Sequence, residues 1–126
     1  MNVPFQFTGR IRSFKHAFRG IRTMLCSQQN ARIHALATIL AVLAGFFFRI
    51  TGHEWCWIVL AITAVWAAEA MNTALELLSD ATSPAFHPLI KKAKDVAAAS
   101  VLIAAIGAVI IGGLVFGPYA VELLTR

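Results

Sequence analysis

"WCWIVLAITAVWAAEAMNTALELL", Trp55 to Leu78, is apolar almost without break until Glu69 and then carries two carboxylates and an asparagine. A helix of this length crosses ~30 Å of hydrocarbon at ~1.5 Å per residue, so the stretch reads as a membrane span with a polar end. Two further runs flank it. "IHALATILAVLAGFFFRI" precedes it, and a third run extends over about 96–117. The chain has 126 residues, 59% hydrophobic and 13% charged, whereas soluble domains carry about 25% charged residues. A soluble domain this small leaves too much surface in water to hide that much apolar area. The expected fold is therefore an all-α integral membrane domain over 1–126, with spans at about 33–50, 55–78 and 96–117.

Ahead of the first span, "FKHAFRGIRTML" spaces Phe14, Phe18, Ile21 and Leu25 by four, three and four, with Lys15, Arg19 and Arg22 to one side. That pattern predicts an amphipathic helix, about 8–28, lying in the interface and drawn to anionic lipid. No early apolar core with a cleavage site precedes Ile33, so the first span is expected to remain. The basic residues place the ends. Arg10, Arg12, Lys15, Arg19, Arg22 and Arg32 precede the first span, and Lys91, Lys92 and Lys94 fall between the second and third. The positive-inside rule puts the N-terminus and the Ser79 to Lys94 loop in the cytoplasm, and the "TGHEW" turn and the tail outside. A net charge of +5 distributed between spans is not a nucleic-acid face. Cys26 and Cys56 lie on opposite sides of the first span, which disfavours a disulfide between them. Trp55 and Trp57 sit where interface anchors belong, and Pro84 and Pro88 mark the cytoplasmic loop. Ser100, Ala104, Ala108 and Gly112 form a small-residue stripe that permits close helix approach, within the chain or between copies.

The polar residues of the second span share one face. Counting from Glu69 at about 100° per residue, Asn72, Glu76 and Asp80 fall at about 300°, 340° and 20°. Glu69 lies about 21 Å along the helix from Trp55 and Glu76 about 31 Å, which puts Glu69 inside the hydrocarbon and Glu76 near water. A carboxylate in lipid costs a few kcal/mol, so it faces protein and has a task. Glu69 suits a general base, and Glu76 suits a cation. An ion pair between Glu69 and a neighbouring helix is the structural alternative. Lys94 and Asp95 stand at the cytoplasmic mouth of the third span. Acids, a lysine and an amide beside a lipid surface fit phosphoryl transfer from a metal-bound polyphosphate to an alcohol. No glycine-rich phosphate loop of the usual form is present. On chemistry alone, a kinase and an ion-coupled transporter stand level.

"EAMNTALELLSD" resembles the signature of the prokaryotic diacylglycerol kinase and undecaprenol kinase family. "FHPLIKKAKDVAAASVLI", "FRGIRTML" and "NARIH" resemble its other segments, so the likeness spans nearly the whole chain. The resemblance implies a small membrane enzyme with an interfacial helix and three spans, assembled as a homotrimer in the cytoplasmic membrane with sites between subunits. It implies transfer of the γ-phosphate of Mg-ATP to a membrane lipid alcohol, diacylglycerol or undecaprenol, and "NARIH" with "HPLIKKAKDVAA" is closer to the undecaprenol branch. By the same resemblance Glu69 is the base and Asn72 helps place the reacting groups. Glu76 binds Mg2+, Asp80 supports the nucleotide end, and His87, Lys94 and Asp95 meet the nucleotide. The family's N-terminal basic position falls at Arg10 or Arg12. One position departs from the pattern: a metal-binding glutamate is expected four residues before the arginine of "NARIH", and Gln28 stands there. Its amide oxygen can reach Mg2+ but brings no charge, which leaves a weakened member of the family as an alternative.

Overall fold

The structure, a computed structural model, describes residues 7–82, 85 and 87–125, with side chains from residue 11 onward. Pro84, Arg126 and the Arg10 side chain lie outside the described residues. The helices are α1 (Phe7–Ser27), α2 (Gln29–Phe48), α3 (Gly52–Thr82) and α4 (Pro88–Leu124). Among the described residues the last three are long and apolar enough to cross a membrane.

α1 exposes Ile11, Phe14, Phe18 and Ile21 as well as Arg12, Lys15, Arg19 and Arg22, as an interfacial helix should. Its junction with α2 is made by charge. Gln28 takes an extended backbone, and the Arg32 guanidinium donates to the Leu25 and Cys26 carbonyls at 3.0 and 2.7 Å. A cation on carbonyls left over at a helix end both satisfies them and complements the helix dipole.

α2 stops at Phe48, two residues short of the expected Ile50. Arg49 adopts a left-handed conformation (φ 53°), and the Ile50 amide turns back to donate to the Gly45 carbonyl at 3.1 Å. Apolar character continues past the helix because Ile50 folds into the core with Ile58 and Val115. Thr51 and Glu54 then start α3 with a reciprocal cap: the Thr51 amide donates to Glu54 Oε2 at 2.7 Å and the Glu54 amide to Thr51 Oγ1 at 3.3 Å. The same carboxylate accepts from the Tyr119 hydroxyl at 2.8 Å, tying the far end of α4 to the turn. Trp55 packs on Phe46 with centroids 5.1 Å apart, and Trp57 donates to His53 Nε2 at 3.1 Å. A Cβ on Gly45 would stand 2.6 Å from the Trp55 ring. Gly45→Ala is therefore expected to destabilise the turn by about 1–3 kcal/mol, read as a lower thermal midpoint of the detergent-solubilised protein.

The α3–α4 connection is shorter than the predicted Ser79–Lys94 loop. α3 runs on to Thr82, and α4 starts at Pro88 with the His87 ring accepting from the Leu89 amide at 3.3 Å. Proline ends helices from inside but suits the first helical position, where its missing N–H has no partner to lose. α4 also outlasts its expected end at 117, passing Pro118 to reach Leu124. α3 and α4 are antiparallel, pinned by Asp80–Lys94 at one end and Glu54–Tyr119 at the other. Between those ties Ala97, Val101 and Val115 are buried. Of the small-residue stripe, Ala108 and Gly112 face an apolar cavity of about 350 Å³ shared with α2 and α3, and a Cβ on Gly112 would meet no atom within 4 Å. Cys26 and Cys56 are free and exposed.

Candidate functional site

The polar face of α3 forms the expected gradient. Glu69 is fully buried, Asn72 and Thr73 nearly so, Glu76 half-buried and the Asp80 side chain 70% exposed. Helical phase explains why they align, since each residue lies three or four from the next. Both Glu69 oxygens lack a hydrogen-bond partner among the described residues, as do Asn72 Oδ1 and Thr73 Oγ1. The ion pair that would make Glu69 merely structural is not formed there. An unpaired buried carboxylate is costly, and groups held at such cost belong to sites that complete themselves with a ligand.

Glu76 is held from two sides. The Gln28 amide donates to its Oε2 at 2.7 Å and the Asn72 amide to its Oε1 at 3.3 Å. Because a carboxylate only accepts, the Gln28 nitrogen must face it and the amide oxygen must turn away. Gln28 therefore joins the ladder as a donor that orients Glu76. Arg32, through its bonds to the end of α1, fixes the bend that brings Gln28 to α3.

Asp80 accepts from Lys94 Nζ at 3.0 Å, which brings α4 to the exposed end of the ladder. Asp95 does not join it. Its carboxylate pairs with Lys91 one turn back at 3.3 Å and remains exposed. His87 caps α4, and no contact links it to Glu69, Asn72, Glu76 or Asp80 among the described residues. Arg12 is exposed on α1.

Two polar residues on this face escaped the sequence reading. Thr73 and Ser79 are buried beside the ladder, and their signal was their place one residue from Asn72 and Asp80. Thr73 also borders an apolar groove of about 450 Å³ between α1 and α3, lined by Gly20, Ile21 and Met24 on one side and Ala70 and Leu77 on the other. No group of three or more His, Cys, Asp or Glu side chains able to hold a metal occurs among the described residues. One oriented carboxylate is nevertheless the donor set suited to Mg2+ that arrives on phosphates, since this ion keeps its waters and takes one or two protein carboxylates.

Residues 15–116 match the family described as prokaryotic diacylglycerol kinase. The chain is similar to undecaprenol kinase of Bacillus subtilis, 38% identical over 107 residues that make up 85% of this chain and 87% of that protein. Against diacylglycerol kinase of Synechocystis sp. it is 35% identical, over 89% of this chain and 65% of the relative. Against diacylglycerol kinase of Helicobacter pylori it is 33% identical, over 98% of this chain and 96% of the relative.

Proposed function

The chain belongs to the prokaryotic diacylglycerol kinase family, a family of lipid kinases, and from that premise we propose that it transfers the γ-phosphate of Mg-ATP to the hydroxyl of a membrane lipid alcohol at the cytoplasmic interface. The observation that carries this reading is the single helical face running from fully buried Glu69 to exposed Asp80. A lipid hydroxyl stays in the membrane and a nucleotide stays in water, so a kinase for both needs a base at one depth and phosphate-binding groups at another. Membership in a kinase family ends the parity with an ion-coupled transporter.

In the proposed reaction the alcohol oxygen attacks the γ-phosphorus, the bond to the β–γ bridging oxygen breaks, ADP leaves, and Glu69 takes the hydroxyl proton. Glu76, oriented by Gln28 and Asn72, presents a carboxylate toward the phosphates. Bound there, Mg2+ would neutralise charge on the transferring phosphoryl group. Lys94 offers a cation at the nucleotide end once Asp80 shares it, while Asp95 and His87 act farther out, on the nucleotide's exposed part. The apolar groove under α1 suits the lipid tail, because it opens beside Thr73 on the turn next to Glu69. The exposed basic residues of α1 and the start of α4 support a cytoplasmic N-terminus and α3–α4 connection, in the cytoplasmic membrane. The exposed Asp80 end of the ladder leaves room for neighbouring copies in a homotrimer.

The likeness to an undecaprenol kinase, together with "NARIH", favours undecaprenol over diacylglycerol as acceptor. Purified protein in lipid–detergent micelles, given Mg-ATP and each alcohol in turn, is expected to phosphorylate undecaprenol faster. Absence of product from both, with the protein folded, refutes the reading.

Gln28→Glu tests whether the departure weakens the enzyme. A second carboxylate beside Glu76 is expected to raise affinity for Mn2+ without nucleotide by about tenfold, measured by titration calorimetry, because ligand charge sets divalent-cation affinity. Turnover is expected to change by less than about tenfold, since the phosphates already carry the ion. A gain of several hundredfold would identify the parent as crippled.

A further inference from the structure

Resting on that reading, we propose that His34 is the positioning residue of the Glu69 base: its imidazole N–H donates to one carboxylate oxygen and leaves the other for the acceptor's hydroxyl proton. Two hydrogen bonds fix how α2 runs against α3, Gln28 to Glu76 and Trp66 Nε1 to Thr38 Oγ1 at 3.0 Å. Equal lengths of helix separate the two bonds on each side, so the register between them is determined. One turn from Thr38 toward the cytoplasm stands His34. Three residues from Trp66 in the same direction stands Glu69. The two therefore face each other across the α2–α3 seam.

The other surroundings of Glu69 have little to offer it. The Asp80–Lys94 and Glu54–Tyr119 ties set the α3–α4 register so that α4 passes Glu69 with Ala104 and Ala105. On α3 itself, the Asn72 amide is engaged by Glu76, and the Thr73 hydroxyl, one turn from Glu69, is the other buried donor without a partner among the described residues. His34 is half-buried, lines the cavity between α2, α3 and α4, and makes no hydrogen bond among the described residues. A polar ring with an unused N–H and a buried carboxylate with two unused acceptor oxygens thus share one seam. Bonds between catalytic partners are often open before substrate binds and close in the reactive complex. A carboxylate fixed through one oxygen cannot rotate its other oxygen away from the hydroxyl, and a misplacement near 1 Å costs about 100-fold in rate.

The test uses the full-length protein in bilayers with undecaprenol and a non-hydrolysable Mg-ATP analogue. Carbon–nitrogen dipolar recoupling in solid-state NMR reads contacts between labelled glutamate carboxyls and histidine rings. His53, adjacent to Glu54, serves as the internal reference. One additional contact, at hydrogen-bonding range (about 2.6–3.2 Å between N and O), is expected, and it is lost in both Glu69→Gln and His34→Leu. In parallel, His34→Leu is expected to lower kcat about 100-fold with KM for Mg-ATP unchanged. His34→Gln, whose amide still donates, should restore kcat to within about tenfold of wild type. Absence of the Glu69–histidine contact overturns the proposal, as does wild-type kcat in His34→Leu or an equal loss in His34→Gln. A wild type that shows the contact and phosphorylates no lipid refutes the kinase reading and leaves the pairing standing.

Discussion

Glu69→Gln is expected to lower the rate of phosphoryl transfer by about 10²–10⁴-fold, the range that a positioned general base contributes. The substitution keeps size and removes only the ability to take a proton. Since Glu69 is fully buried with neither oxygen partnered among the described residues, its loss breaks no hydrogen bond found there. Folding and assembly should survive, and stability is expected to stay level or rise, because an unpaired buried carboxylate is replaced by a neutral amide. KM for Mg-ATP should also hold, because the proposed nucleotide contacts begin at Glu76. Steady-state kinetics with a thermal melt on the same preparation check all three. Undiminished turnover would remove Glu69 from the chemistry.

Glu76→Ala is expected to fail differently. Glu76 is the carboxylate that two amides hold in place, and it supplies the ladder's negative charge at the depth where phosphates can reach. A metal's share of transition-state stabilisation is several kcal/mol, so kcat/KM should fall by about 10³-fold. Both kcat and KM for Mg-ATP should move, and raising free Mg2+ should recover part of the loss. The check is a rate matrix in Mg2+ and ATP. A loss in kcat alone, insensitive to Mg2+, would assign Glu76 to orientation of the lipid instead. Ala rather than Gln is the informative change, because Gln could retain a contact with Gln28.

The order of helices and the ladder were legible in the sequence for a shared reason: both are periodic or continuous along the chain. Runs of apolar residues long enough to span a bilayer leave few alternatives. Glu69, Asn72, Glu76 and Asp80 obey helical spacing, so their common face needed no tertiary knowledge. The bond from Gln28 to Glu76 crosses 48 positions and depends on the α1–α2 bend, which Arg32 makes by capping carbonyls. The family resemblance could flag Gln28 as unusual but could not tell an amide oxygen on a metal from an amide nitrogen on a carboxylate. Asp95 went to Lys91 because a partner one turn away on the same helix is always within reach. Local information was also misread. "TGHE" is a capping-box sequence that announces the start of α3 at Gly52. Pro88 was treated as a loop residue although its place after His87 suits a helix start. Those two signals account for the displaced starts of α3 and α4.

Direct transfer of phosphate from a cytoplasmic nucleotide to a membrane-buried alcohol, along one helical face, is the proposed reaction. Its most direct measurement is the fate of label from γ-labelled ATP in vesicles containing the protein and undecaprenol. Label is expected in the extracted lipid, in step with ADP formed, and none above background with Glu69→Gln. ATP hydrolysed to free phosphate without labelled lipid, or equal lipid labelling by Glu69→Gln, would contradict it.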